Sequence, residues 1–495
     1  MTRSYTQLEK RFKRLNVLGD AASMLQWDMA AMMPKGGAES RAEQMALLAT
    51  LRHGMICDEA ISDLLDAAES ESGLNDWQAA NLKEMRRAHT HATALDEDLV
   101  EAISRTTSTC EQVWREARPQ GDFKKIVPHL KAVLNLTRTA AAAKAEKLNC
   151  SLYDALLDQY EPDGKSALID PIFDRLEGFL PDFLQEVLDK QKDVSFKLPK
   201  GPFEVEKQKQ LGQLFMSALG FDFDHGRLDV SLHPFCGGTS DDVRLTTRYD
   251  EADFTSALMG VLHETGHALY ERGLPKDWRH QPVGQARGMS FHESQSLLVE
   301  MQVCRSDAFL KYAVPHMQKA FDGQGEGWSL DNFTKLYRQV KPGFIRVDAD
   351  EVTYPAHVIL RYKLERALIE GQMEVEDIPA NWNDAMQNML GITPESDREG
   401  CLQDIHWYDG AWGYFPTYTL GAMTAAQVYH AAQEAVKGLD GQIEKGDFSG
   451  LMGWLRENIH GKGCKLSSND LLTHATGKTL DPEVFIHHLK TRYAA

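Results

Sequence analysis

The stretch Val261–Tyr270, VLHETGHALY, constrains this chain more than any other. Ala257, Leu258, Val261, Leu262, Thr265, Ala268 and Leu269 recur at helical spacing, so residues 252–272 are expected to form a largely buried helix. On that helix His263 and His267 lie one turn apart on the same face, where their imidazoles can grip one small ion. Glu264 stands next to the first of them and can reach a water held by the ion, as a general base must. The five-residue pattern HExxH is weak alone, since two histidines four apart are often a solvated or partner-satisfied pair. Gly266 adds weight. A glycine inside a helix costs about 1 kcal/mol against alanine, which suggests that something packs closely against that turn.

A hydrolytic metal centre needs three protein ligands and an open position for water. Downstream, His292-Glu293-Ser294-Gln295-Ser296 opens a second apolar helix bearing Leu297, Leu298, Met301 and Cys304. Either His292 or Glu293 could be the third ligand. A helix beginning near Ser290 places Glu293 one turn in and facing a neighbouring helix, so Glu293 is preferred. His292 is then a partner of the ligands or a substrate contact.

The first half of the chain reads as helix after helix. Residues 4–25 carry Leu8, Phe12, Leu15, Leu18 and Ala22 on one face, and Trp27-Asp28 with the turn 33–37 closes the element. Further helices are expected over 38–51, 76–117 (two), 121–147, 151–162, 170–192 and 203–219. Residues 223–249 break the pattern. Phe223, Leu228, Val230 and Leu232 alternate with polar residues, as does 243–249, and Pro234 and Gly237-Gly238 lie between, so two strands joined by a loop are predicted. No repeat of fixed period and no low-complexity linker divides the 495 residues, which favours one intertwined, mainly α body, residues 1–495 as a single domain.

Lys plus Arg is 54 and Asp plus Glu is 73, a formal net charge of −19. That disfavours nucleic acid and anionic membrane as partners. No run of about 18 apolar residues and no leader-like N-terminus is seen. Seven scattered cysteines, never in CxxC spacing, fit reduced thiols, so a cytoplasmic location is expected.

Three further stretches hold more chemistry than packing needs: Asp242–Thr246 (DVRLT), Ile345–Asp350 (IRVDAD) and Gly400–Trp407 (GCLQDIHW), the last leading to Trp412, Tyr414, Phe415 and Tyr418. An arginine can fix a carboxylate bidentately, and a tyrosine or histidine donor can stabilise an oxyanion. Together with HETGH at 263–267 and HESQ at 292–295, these segments resemble, in order, the five signature motifs of the carboxypeptidase Taq family. Residues 27–44, 153–162 and 412–421 are also similar to it, so the resemblance covers nearly the whole chain.

The resemblance implies a metallocarboxypeptidase that removes single residues from peptide C-termini with broad preference. It implies a mostly helical, bowl-shaped fold with a deep groove between two helical halves, related to the neurolysin and angiotensin-converting-enzyme group, and usually homodimeric. The small sheet beside the groove would suit an extended peptide. Carried over, His263, His267 and Glu293 bind one divalent ion, zinc first and cobalt or manganese as alternatives, and Glu264 activates its water. Arg346 would help hold the substrate carboxylate, while Arg244 and the residues of the GCLQDIHW stretch at 400–407, Gln403 among them, would line the blind end. His406 and Tyr418, twelve residues apart, would serve as donors, with Tyr414 as the rival for the oxyanion. An endo-oligopeptidase or dipeptidyl carboxypeptidase with the same metal site is the alternative that product analysis would separate.

Overall fold

The computed structural model describes residues 3–231 and 233–494. The first helix, Arg3–Ala31, buries Tyr5, Leu8, Phe12 and Leu15 against Ile61 and Leu65 of helix Glu59–Glu69 and Leu82 and Met85 of helix Asp76–Thr93. It runs on past Trp27, because that indole is buried under the guanidinium groups of Arg227 and Arg244. Helix Ala38–Ile56 folds back along it and has no buried residue of its own. Over 166–191 the expected single helix is two, Ser166–Glu177 and Leu180–Gln191, since Gly178 closes the first and Pro181 opens the second.

The sheet has three strands: β1 (Gly226–Val230), β2 (Phe235–Thr239) and β3 (Asp242–Thr247), in the order β1-β3-β2. β1 is parallel to β3 and β2 antiparallel to it, with Gly238 opposite Val243 and Gly237 opposite Arg244. The segment expected as a loop is thus itself a strand. Gly238 makes the tight hairpin possible: its φ is +85°, and a Cβ there would meet the Asp242 carbonyl at 2.2 Å. Leu232, expected to continue the alternation, lies outside the described residues. Leu228, Val243 and Leu245 pack with Met216 and Phe221 against Val261 and Ala268, so the sheet is the support for the HExxH helix.

That helix, Phe254–Gly273, lies against a second, Gly288–Leu297, which continues as a wide π turn over Leu298–Val303. A third, Pro416–Ala435, covers the second from the other side. Two glycines make the contacts close. A Cβ on Gly266 would meet the Gln295 carbonyl at 2.4 Å, and one on Gly421 would meet the Glu293 Cβ at 2.9 Å. The helix carrying Glu293 is therefore held between two glycine faces. The largest core wraps these three and extends to the C-terminal helix Pro482–Tyr493. Among the described residues, no helix is long and apolar enough to cross a membrane.

Candidate active site

His263, His267 and Glu293 converge, with one ligand atom from each lying within 4.8 Å of the others. The His267 Nε2 is 3.5 Å from the Glu293 carboxylate. Each imidazole is held by its other nitrogen. His263 Nδ1 donates to Glu300 at 3.0 Å, and Glu300 is ion-paired with Arg305 at 2.6 Å. His267 Nδ1 faces His292 Nδ1 at 2.7 Å, and the far side of that ring, Nε2, donates to Glu271 at 2.9 Å. Both outer contacts leave the Nε2 lone pairs free toward the centre, the tautomer that a metal ligand needs.

The electrostatics favour a cation there. Burial opposes charge on His263, but the hydrogen bond to Glu300 and the charges of Glu293 and Glu264 outweigh it and push its pKa up to about 10. The groups that attract that proton would attract a divalent ion in its place. Two imidazoles and a carboxylate, oriented by second partners, fit a tetrahedral-type zinc-class site with one position open. Glu264, 7 % exposed, has its carboxyl pushed up to about 7, first by burial, with His263 opposing and Glu293 adding.

Beside the cluster stands a polar wall. Arg346, buried, donates from Nη2 to Asp404 at 2.8 Å, and its guanidinium lies 4.5 Å over the ring of Tyr418. Arg361, fully buried, reaches the other oxygen of Asp404 at 2.6 Å. The two guanidinium groups hold the Asp404 carboxyl far below the usual carboxylate range against the cost of burial. His406 Nε2 is 3.2 Å from the Tyr418 hydroxyl. Burial, opposed by Asp404 and assisted by Arg346 and Arg361, holds His406 down at about 4, so it is neutral near pH 7. Tyr414 packs on Tyr418 at 5.2 Å, and burial first, with the charge of Glu293 adding to it, raises the pKa of both.

Gln403 reaches Arg346 differently: its Oε1 accepts from the Arg346 main-chain N–H at 2.8 Å, and its Nε2 donates to the carbonyls of Phe344 and Glu399. Arg244 lies on the sheet, chelated by Asp242 at 2.9 and 2.6 Å and seated on Trp27. Glu271, Glu300 and Arg361 are not singled out as site residues by the sequence, whereas Asp404 lies in the stretch expected at the blind end. Glu300 carried a signal, an acid within Leu297-Leu298-Val299-Glu300-Met301. Glu271 follows His267 at the same i, i+4 spacing that joins the two histidines.

Two imidazoles and a carboxylate from two helices, a buried acid beside them and an arginine-bearing wall together define a metal-dependent peptide hydrolase. The profile of the carboxypeptidase Taq (M32) metallopeptidase family matches residues 7–493. Thermostable carboxypeptidase 1 of Thermus thermophilus is 36% identical over 503 residues, covering 99% of this chain and 98% of that protein. Carboxypeptidase 1 of Bacillus subtilis is 35% identical, covering 98% of each. Among solved structures, metallocarboxypeptidase 1 of Trypanosoma cruzi superposes with a TM-score of 0.98 at 42% identity over 100% of both chains. The M32 carboxypeptidase of Deinococcus radiodurans does so at 0.94 and 34%, covering 100% of this chain and 99% of that one. The chain belongs to the M32 carboxypeptidase Taq family and is a metallocarboxypeptidase.

Proposed function

We propose that this carboxypeptidase cleaves the C-terminal peptide bond of many peptides, with His263, His267 and Glu293 holding one ion, zinc in the first instance. One divalent ion in that position would supply Lewis-acid polarisation of the scissile carbonyl and an acidified water. Glu264 takes the proton of the attacking water and delivers it to the leaving amine. Its buried carboxyl, near pH 7 rather than near 4.5, suits both halves of that transfer. Neutral His406, with Tyr418 and its rival Tyr414, donates to the oxyanion.

The observation that carries the exopeptidase reading is the charge balance of the wall. Two buried guanidinium groups, Arg346 and Arg361, share one carboxylate, Asp404. A buried positive excess calls for an anion, and the free carboxylate of a peptide is the one such a substrate brings. Arg346, next to Tyr418, would receive it, with Gln403 fixing the Arg346 main chain and Arg244 bracing the sheet side. Residues 1–495 would act as one domain whose two helical halves flank the groove, in a cytoplasmic homodimer; sedimentation velocity tests the dimer. Amidating the C-terminus of a good peptide should reduce kcat/KM at least a hundredfold. Amidated peptides cut at an undiminished rate, or release of dipeptides, would overturn this reading.

A further inference from the structure

Removing one residue at a time requires a fixed distance between the metal cluster and the group that receives the terminal carboxylate, Arg346 in the proposed function. The two stand on different segments. Behind the cluster, Glu300 of the π turn Leu298–Val303 holds His263 Nδ1 at 3.0 Å. Arg346 stands on the turn Arg346–Asp348, which runs directly into Asp350 and Glu351. A buried node joins them. Gln302, 2 % exposed, donates from Nε2 to the Glu351 carboxylate at 2.6 Å. Arg492 of the C-terminal helix bridges the same two segments. It donates to Glu351 at 3.1 Å and to the carbonyls of Met301 and Gln302, the second at 3.0 Å. The last carbonyls of a helix lack an intrahelical N–H, so Arg492 caps the π turn while pairing with the acid. The stretch between Arg346 and Glu351 is not slack either. The Ala349 N–H donates to the Arg346 carbonyl at 3.1 Å, and the Asp350 side chain accepts from the N–H groups of Lys341, Val352 and Thr353.

We propose that Gln302 and Arg492, acting through Glu351, set the spacing between the metal cluster and Arg346 and so restrict cleavage to a single C-terminal α-amino acid. Neither side chain is placed at the substrate; both are positioning residues. The proposal rests on Arg346 receiving the terminal carboxylate and on the three ligands holding the ion. A neutral amide adds no charge to Glu351, whose oxygens already accept from His488 at 2.8 Å and from Arg492. What Gln302 adds is a direct link from the π turn to the segment of Arg346. The node is buried, so bulk water does not take over a contact that is lost. Loss of either tie therefore lets the two halves of the site move relative to each other.

The test uses two N-terminally blocked peptides that differ only in their last residue, alanine or β-homoalanine. The second keeps the methyl group and lengthens the path from scissile nitrogen to carboxylate by one bond of about 1.5 Å. A misplacement of about 1 Å can cost about a hundredfold, so the wild-type kcat/KM should favour alanine by about that factor. The ratio of the two values does not depend on how much enzyme is folded or loaded. In Gln302→Leu and in Arg492→Met it should fall at least tenfold. Tyr493→Phe removes another contact to Glu351, at 3.0 Å, but leaves both ties in place, so its ratio should match wild type. Zinc affinity of Gln302→Leu, read by chelator competition, should stay within threefold of wild type, because the ligands keep their own partners. A ratio within twofold of wild type in either tie variant, or an equal fall in Tyr493→Phe, overturns the proposal. So does a loss of zinc affinity as large as the fall in the ratio, since the node would then act on the ligands alone. The alanine peptide with an amidated C-terminus separates the two claims. Undiminished cleavage of it by wild type refutes the Arg346 anchor, and the spacing with it; a normal loss on amidation with unchanged ratios refutes the spacing alone.

Discussion

In the proposed function Glu264 and Arg346 do different work, and single substitutions should separate them. Glu264→Gln keeps size and hydrogen bonding but cannot take a proton, so kcat should fall by about 10²–10⁴-fold. Metal content, read by plasma emission after dialysis, should stay at the wild-type level, because Glu264 lies beside the three ligand atoms rather than among them. Arg346→Lys keeps one positive charge but loses the planar fork that Asp404 and a second carboxylate can share. A charge-assisted hydrogen bond is worth about 1.5–3 kcal/mol, so kcat/KM should fall by roughly 10–100-fold for free C-termini. For amidated peptides the same change should make little difference, and that contrast is the measurement. The pairing of His263 with His267 on one helix face was readable from sequence because helix periodicity fixes their spacing. Their partners were not. Which side chain meets His263 Nδ1 depends on how a π turn brings Glu300, 37 residues away, across a helix interface, and no local pattern encodes that.

At the scale of elements, two glycines in one helix should behave oppositely. Gly260 has nothing within 4 Å of an added Cβ, whereas at Gly266 that atom would strike the backbone of Gln295 and Ser296. Gly260→Ala should stabilise by up to about 1 kcal/mol through helix propensity and the less flexible unfolded chain. Gly266→Ala must push the helix of Glu293 away from the two histidines. It should lower Tm and weaken metal binding at least tenfold in a chelator-competition titration; equal metal affinity in the two variants would rule out close helix approach as the determinant of the site. The expectation that Gly266 marks tight packing was legible because helical glycine is costly. Strand β2 was not legible, because Gly237-Gly238 reads as loop until its partner β3 is known. The segment leading into helix Pro416–Ala435 is a turn fixed by its surroundings. The Gly413 N–H donates to the fully buried Glu365, its φ is +87°, and an added Cβ there would meet the backbone of Leu156 and Leu157 at 2.8 Å.

Across the whole molecule, the acids that burial has treated differently set opposite pH limits on stability. Glu365 has its carboxyl pushed up to about 8 by burial, with the hydrogen bonds from Gly413 and Tyr153 opposing it. Between about 4.5 and 8 the folded protein therefore holds a proton that the unfolded chain has released, and stability from this group falls as pH rises. Glu365→Gln removes that slope, so the Tm of wild type relative to this variant should shrink from pH 5 to pH 8. Glu351 is the reverse case. It follows the IRVDAD segment directly, is 1 % exposed, and accepts from His488 at 2.8 Å, Tyr493 at 3.0 Å and Arg492 at 3.1 Å, tying the C-terminal helix to the stretch that bears Arg346. Burial opposes its charge, but His488 and Arg492 hold its carboxyl well below the ordinary glutamate value of 4.5. Its contribution is therefore present above pH 4.5 and is lost progressively as pH falls below it. Removing one member of a buried ionic network costs about 3–5 kcal/mol. Glu351→Gln should then unfold several degrees below wild type at pH 7 in a calorimetric scan of the metal-free protein, and the gap should narrow steadily from pH 4.5 downward. A gap of the same size at pH 7 and pH 3.5 would mean that the shape of the side chain, and not its charge, holds the C-terminal helix in place.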